Sequence, residues 1–231
     1  MKLIKPSYKI LTHIDSEILI DIERVARTCY KSEDRIEIGN KASNGELYDR
    51  EPKSAKILIE KLIKRGHEAM LEFGSNITVK FICDRGVSHE LVRHRLCSFA
   101  QESTRYCNYG KDDHITFIIP SWFTDDDINT INNPKLEITN VSEHWKDAMQ
   151  DSEIYYNKLI SKGWLPQQAR SVLPNSLKTE INIDANIREW RHIFKLRTNK
   201  AAHPQMRELM CPLLDEFKSK IPILFDDINY E

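Results

Sequence analysis

Glycine is scarce in this chain, with seven residues in 231, and none falls in a G-x-G-x-x-G or G-x-x-x-x-G-K pattern. That excludes the two glycine-rich loops whose bare backbone amides cradle phosphate, and a phosphorylated ligand is expected to be held by arginine rather than by glycine amides. No H-E-x-x-H pair occurs, which removes the helix-borne zinc site of hydrolases, and no metal is expected. The five cysteines (Cys29, Cys83, Cys97, Cys107, Cys211) form no C-x-x-C pair and no zinc-like spacing. An odd count without a framework reads as reduced thiols. Together with an amino terminus lacking a signal-peptide core, it leads to the expectation of a cytoplasmic protein. No apolar run approaches the ~20 residues needed to cross a membrane. Net charge is nearly absent too: 34 Lys and Arg against 35 Asp and Glu leave −1. Bulk electrostatics therefore point to neither nucleic acid nor membrane.

What is present is basic charge concentrated in two places. The first is Arg93-His94-Arg95-Leu96-Cys97-Ser98-Phe99-Ala100-Gln101-Glu102-Ser103-Thr104-Arg105-Tyr106. In extended chain Arg93 and Arg95 point one way and His94 the other. Two guanidinium forks on one side suit a diphosphate, and the imidazole is left for a ring or a proton. The alternative is a solvated turn whose charges pair with Glu90 and Glu102. The second place is residues 186–203, with five Lys and Arg against one Glu, which marks a site for an anionic partner. Trp190 and Phe194 in it are four apart, ordinary spacing for a helix core; the rival reading makes them stacking faces for single-stranded nucleic acid. His67 and Arg170 complete an inventory that fits phosphorylated ring compounds held by arginine.

Periodicity predicts an α+β fold, one domain over 1–231, with a central, mostly antiparallel sheet flanked by helices. Strands are expected at 8–14, 77–83, 114–120 and 177–185. Asp15 or Ser16 should cap a helix whose buried stripe is Ile18, Ile22, Val25 and Cys29. Residues 32–51 read as a long loop. Pro52 opens a helix with Ala55, Leu58, Ile59 and Leu62 inward, and Gly66 stops it. A short helix covers 87–93, so the Arg-His-Arg tripeptide starts at a helix end and runs into extended chain. Residues 125–134 read as acidic loop. The longest helix, 141–162, should bury Val141, Trp145, Ala148, Ser152, Tyr155 and Leu159, with Gly163 as stop. Pro166 starts a short helix carrying Arg170, and Asn186 caps a helix on which Arg188 and His192 share a face. A last helix at 203–220 contains Pro212, expected to kink it.

Arg93-His94-Arg95, seven residues, then Ser103 resembles the signature of the flavin-dependent thymidylate synthases. Further segments match that family in order. They are Ala26-Arg27-Thr28-Cys29-Tyr30, Gly66-His67-Glu68, Ala169-Arg170-Ser171-Val172-Leu173-Pro174, Asn186-x-Arg188, and Leu196-Arg197. The resemblance implies a homotetramer that methylates dUMP to dTMP, with 5,10-methylenetetrahydrofolate supplying the carbon and NADPH reducing a tightly bound FAD. It places Arg93, His94 and Arg95 on FAD across a subunit boundary, joined by Asn186, Arg188, His192, His67, Cys29 and Gln101. It places Glu90, Arg93, Gln101, Glu102, Ser103, Thr104, Arg105, Arg170 and Arg197 around the nucleotide. Arg197 would stabilise charge developing on the uracil ring, and Ser103 would position the nucleotide rather than attack it. The chain departs from the family pattern at Ala69 and Phe73, where a hydroxyl and a second imidazole usually stand, and has Gln101 for Glu and His192 for Asn of some relatives.

Overall fold

A computed structural model describes residues 1–36, 52–111, 114–132 and 141–230. In chain order the strands and α-helices are β1 (Lys2–Ile4), β2 (Ser7–Ile10), α1 (Glu17–Thr28), α2 (Lys53–Lys64), β3 (Ile77–Asp84), α3 (Arg85–Leu91), β4 (Ser98–Gln101), β5 (Thr116–Ile118), α4 (Asp125–Asn132), α5 (Val141–Ser161), α6 (Pro166–Ala169), β6 (Lys178–Ala185), α7 (Ile187–Arg197), α8 (Pro204–Lys220) and α9 (Pro222–Phe225). Four strands form an antiparallel sheet in the order β2-β3-β6-β4, while β1 and β5 pair in parallel. Both long strands alternate, β6 throughout and β3 as far as Cys83. Ile77, Val79, Phe81 and Cys83 are buried on β3, and Thr179, Ile181, Ile183 and Ala185 on β6, the period-2 signature of a half-covered sheet. Each runs directly into a capped helix. Asp84 accepts the Val87 N–H at 2.8 Å, and Asn186 accepts the Glu189 N–H at 2.9 Å, satisfying amides that the first turn leaves open.

The chain groups into two compact units. The first comprises Met1–Tyr8, Lys80–Arg93 and Phe99–Asn182. Its core is Ile115, Phe117, Met149, Tyr156, Ala169 and Leu177. The second comprises Lys9–Val79, His94–Ser98 and Ile183–Glu231. Its centre is aromatic: Phe194, Phe217 and Phe225 meet edge to face at 5.1–5.7 Å between ring centroids, with Trp190 tilted against Phe194 and Phe217. The Trp190 indole donates to the Ile77 carbonyl at 2.9 Å, so the largest buried ring carries no unmet polar group. Trp190 and Phe194 are wholly buried, and the stacking-face reading of these two residues is withdrawn.

Several expectations need correction. The strand expected at 8–14 ends at Ile10. On α1 the buried face is Ile18, Leu19, Ile22 and Ala26, with Cys29 exposed, because the helix turns Ala26 rather than Val25 inward. Residues 125–132 are helix α4, not loop. Thr124 and Asp127 form a reciprocal cap, Asp127 taking the Thr124 N–H at 2.9 Å and Thr124 Oγ1 taking the Asp127 N–H at 3.2 Å, and that cap outweighs the acidic composition. On α5 the core face is Met149 and Tyr156, with Glu153 beside them accepting the Ile115 N–H at 2.6 Å. Of the expected stripe, Trp145 and Leu159 pack partly buried against this core, whereas Val141 and Tyr155 are exposed. Gly66, the expected stop of α2, sits at φ +71°, where a side chain would be strained. Residues 37–51, most of the expected loop at 32–51, lie outside the described residues, as do 133 and 134. Among the described residues no helix is long and apolar enough to cross a membrane.

Candidate active site

In the second unit, α7 leaves the sheet with its register set by the Asn186 cap, so Arg188 and His192 face out while Trp190 and Arg191 face in. Asn186, Arg188, His192 and Lys195 line one side of a hollow of about 520 Å³, and Glu68, Glu72 and Glu189 bring carboxylates to it. Charge is largely matched there. Arg188 pairs with Glu72, and Lys195 reaches Glu68 at 3.2 Å. Beneath Glu68 lies Arg191, fully buried, which also grips Asp227 through both terminal nitrogens at 2.7 Å. These cations hold the Glu68 and Asp227 carboxyls below their ordinary range although burial works the other way. His67 and Cys29 are both exposed. The His67 ring lies 3.5 Å from the Tyr30 hydroxyl and the Cys29 thiol 3.9 Å from the Met70 sulfur.

The Arg-His-Arg tripeptide is a turn rather than extended chain, yet its sidedness is as expected: Arg93 and Arg95 are exposed and His94 is buried. Within the second unit, His94 Nε2 accepts the Arg197 Nε–H at 3.0 Å, and its Nδ1 lies 3.5 Å from the buried Glu189 carboxylate. The His192 ring stands edge-on to it, centroids 5.8 Å apart. Burial, then Arg197, then His192 push the His94 pKa down to about 4, so the ring is neutral at physiological pH.

In the first unit, Arg170 donates to the Thr104 hydroxyl at 2.9 Å. The two line a second hollow of about 410 Å³ with Arg85, His89, Gln167 and Ser171, and among the described residues no carboxylate lines it. The remaining residues named from sequence in this unit are differently engaged. Gln101 donates its amide to Ser88 and Thr179 at 2.9 and 3.2 Å. Glu102 accepts the Tyr109 hydroxyl at 2.7 Å and Lys178 at 3.0 Å, so it does not pair with the neighbouring arginines. Burial and that carboxylate drive the Tyr109 pKa far above normal. Ser103 Oγ accepts the Arg105 N–H at 3.3 Å, and Arg105 lies over the Tyr106 ring at 5.5 Å. Glu90 is half-buried on α3.

A sequence model of the thymidylate synthase complementing protein family matches residues 9–223. The chain belongs to this family. It is 30% identical over 172 residues to a flavin-dependent thymidylate synthase of Pyrococcus furiosus, covering 74% of this chain and 64% of that protein. It is 33% identical over 165 residues to the Thermococcus kodakarensis protein of that name, covering 71% and 62%. The match thus spans less than two thirds of either. With the Corynebacterium aurimucosum protein of that name it is 29% identical over 218 residues, 93% of this chain and 81% of the other. Among solved structures, a UMP/dUMP methylase from Streptomyces cacaoi, bound with 5-Br dUMP, superposes with a TM-score of 0.72 at 21% identity. That match covers 98% of this chain and 96% of the other, and it shows a shared fold.

Within this member of the family, tertiary structure sorts the residues named from sequence into separate groups. Asn186, Arg188 and His192 meet at one hollow, Thr104 and Arg170 at another, and His94 joins Arg197. Gln101 and Glu102 are tied into side-chain networks, while Arg93, Arg95 and Arg105 face solvent. Sequence reading missed Arg85 and His89, which line the second hollow, and Glu189, which faces His94. A signal existed for Arg85: it follows the capping Asp84 at the end of a strand, a common place for site residues. None existed for Glu189, which reads as one acid in a basic helix.

Proposed function

We propose that the chain is a flavin-dependent thymidylate synthase, methylating dUMP to dTMP with 5,10-methylenetetrahydrofolate as carbon donor and NADPH as reductant through bound FAD. The observation that carries this reading is the second hollow, where Arg85, His89, Thr104 and Arg170 line a cavity that no carboxylate enters among the described residues. Two guanidinium forks without a competing anion suit a phosphate monoester, by short charge-assisted bonds. The match to the family at 9–223 adds the chemistry that such a nucleotide site serves.

The larger hollow fits FAD by its donor set. The Asn186 carbonyl oxygen is held by the Glu189 amide, so the Asn186 NH2 remains to donate. Arg188, Lys195 and His192 add donors around it, and the exposed Arg93 and Arg95 complete the contacts from a neighbouring copy, whereas His94, buried against Arg197 in its own chain, does not reach out to join them. His67, Cys29 and Gln101 lie at its margin in this reading. Bound flavin supplies the hydride. Arg170, Thr104, Ser103 and Arg105 hold the nucleotide, with Glu90, Gln101 and Glu102 bounding it. Arg197 stabilises negative charge developing on the uracil ring. Among the described residues no imidazole or carboxylate is bonded to the Ser103 hydroxyl, which supports positioning over nucleophilic attack.

We read the two units as one domain, since the family match runs through both. The protein is a cytoplasmic homotetramer in this reading, with no nucleic-acid or membrane partner. Purified protein should be yellow and bleach with NADPH in anaerobic buffer, and should release tritium from C5-labelled dUMP only when folate is present. Full flavin loading with no such release would instead leave a catalytically inactive relative, impaired at Ala69 and Phe73.

A further inference from the structure

We propose that Glu189 is a positioning residue for the reaction: its carboxylate keeps the His94 proton on Nδ1, so that Nε2 receives the Arg197 Nε–H and fixes the direction of that guanidinium. This rests on the role given above to Arg197.

The geometry leaves His94 little choice. An arginine Nε only donates, and the Arg197 Nε stands 3.0 Å from His94 Nε2. That ring nitrogen must therefore present a lone pair, which puts the proton on Nδ1. At 3.5 Å from Nδ1 lies Glu189 Oε1, an acceptor of the right polarity, with both side chains almost wholly buried. Glu189 is itself anchored, since its backbone amide donates to the Asn186 cap, and the cap fixes where in the first turn of α7 its side chain leaves the helix. His192, one turn on, packs its ring against His94 and limits rotation of the imidazole. The order is carboxylate, imidazole, guanidinium, each orienting the next, the logic by which outer groups set the tautomer of a working histidine.

The same cluster has the composition of a metal site, since His94, Glu189 and His192 bring donor atoms within 4.8 Å of one another. Its polarity argues otherwise. A cation on Nδ1 would move the proton to Nε2, setting two N–H donors against each other at the Arg197 contact.

The test uses the full-length flavin-loaded protein with 15N-labelled histidine. Two-bond 1H–15N correlations should show His94 neutral and protonated on Nδ1 at pH 7 in the wild type and in Glu189→Gln, whose amide oxygen can still accept. Glu189→Leu, assayed at saturating FAD, should lose this single tautomer and drop kcat about tenfold, a size typical of groups in one network, with KM for dUMP within twofold. Glu189→Gln should recover most of the rate. In an Arg197→Ala background the Glu189→Leu change should have no further effect on kcat.

A wild-type His94 protonated on Nε2 would overturn the proposal, and that readout needs no variant to fold. So would an undiminished Glu189→Leu effect without Arg197, or stoichiometric binding of added zinc chloride by the wild type that Glu189→Leu abolishes. If Arg197→Ala alone leaves turnover intact, the reading of Arg197 fails instead, while the tautomer result still reports on Glu189.

Discussion

The two hollows are built from the same kinds of donor and differ in what opposes them. In the first unit, Arg85 and Arg170 face no carboxylate across the cavity among the described residues. In the second, Arg188 and Lys195 are already matched by Glu72 and Glu68. An unopposed pair of guanidiniums keeps its field for a ligand and selects by charge. A matched set presents little net charge and must select by shape and by the direction of its donors. The contrast teaches that counting basic residues along the chain does not locate an anion site. The basic segment 186–203 makes the better-neutralised hollow.

Each of the following variants would sharpen that contrast or break it. The largest effect is expected at Arg197→Ala, with flavin retained and turnover lower by about 10²–10³, the cost of one donor to developing charge in other enzymes. Steady-state rates with a visible spectrum decide this, and unchanged turnover removes Arg197 from the chemistry. Next comes Arg191→Met, which leaves Glu68 and Asp227 without their shared cation and should lower stability by about 3 kcal/mol, read from urea unfolding. A loss below 0.5 kcal/mol, on the order of a surface change, would mean that the hollow lined by Glu68 and Arg188 does not depend on the buried Arg191.

Arg170→Ala should raise KM for dUMP about 10–100-fold, the loss of one to two charge-assisted bonds, with flavin content unchanged. Arg188→Ala and Arg93→Ala should do the reverse, releasing flavin on purification. Flavin loss in Arg170→Ala, or weakened dUMP binding with full flavin in Arg188→Ala, would exchange the assignments of the two hollows.

The smallest effect is a pH dependence of stability. His94 is held down to about 4 by burial, then by Arg197 and His192, whereas the unfolded chain takes up its proton near 6.5. Its contribution is complete above about 6.5 and is lost as pH falls from there towards 4, by at most about 3 kcal/mol. The wild type should therefore lose more stability than His94→Gln between pH 7 and 4.5 in denaturant titrations. Parallel losses would show that His94 protonates freely in the folded state.

Local signals in this chain were strong where one principle acted alone. Alternation marked β3 and β6, Asn186 announced the start of α7, and Gly66 the stop of α2. They failed where two competed. Acidic residues at 125–127 read as loop until the Thr124–Asp127 cap is seen. Val141 and Tyr155 sat on a plausible stripe, but packing chose Met149 and Tyr156.

By itself the sequence determined the family, the α+β plan, the absence of glycine phosphate loops and the opposed sides of Arg93 and His94. These depend on residue type and near spacing, which the chain states directly. Tertiary structure alone decided that Thr104 meets Arg170, 66 residues away, that His94 meets Arg197, 103 away, and that Glu189 faces His94. It also decided which carboxylates neutralise which cations. Such pairings join groups far apart in sequence, and Coulomb and hydrogen-bond energies depend on distance and burial, which exist only once the core has closed.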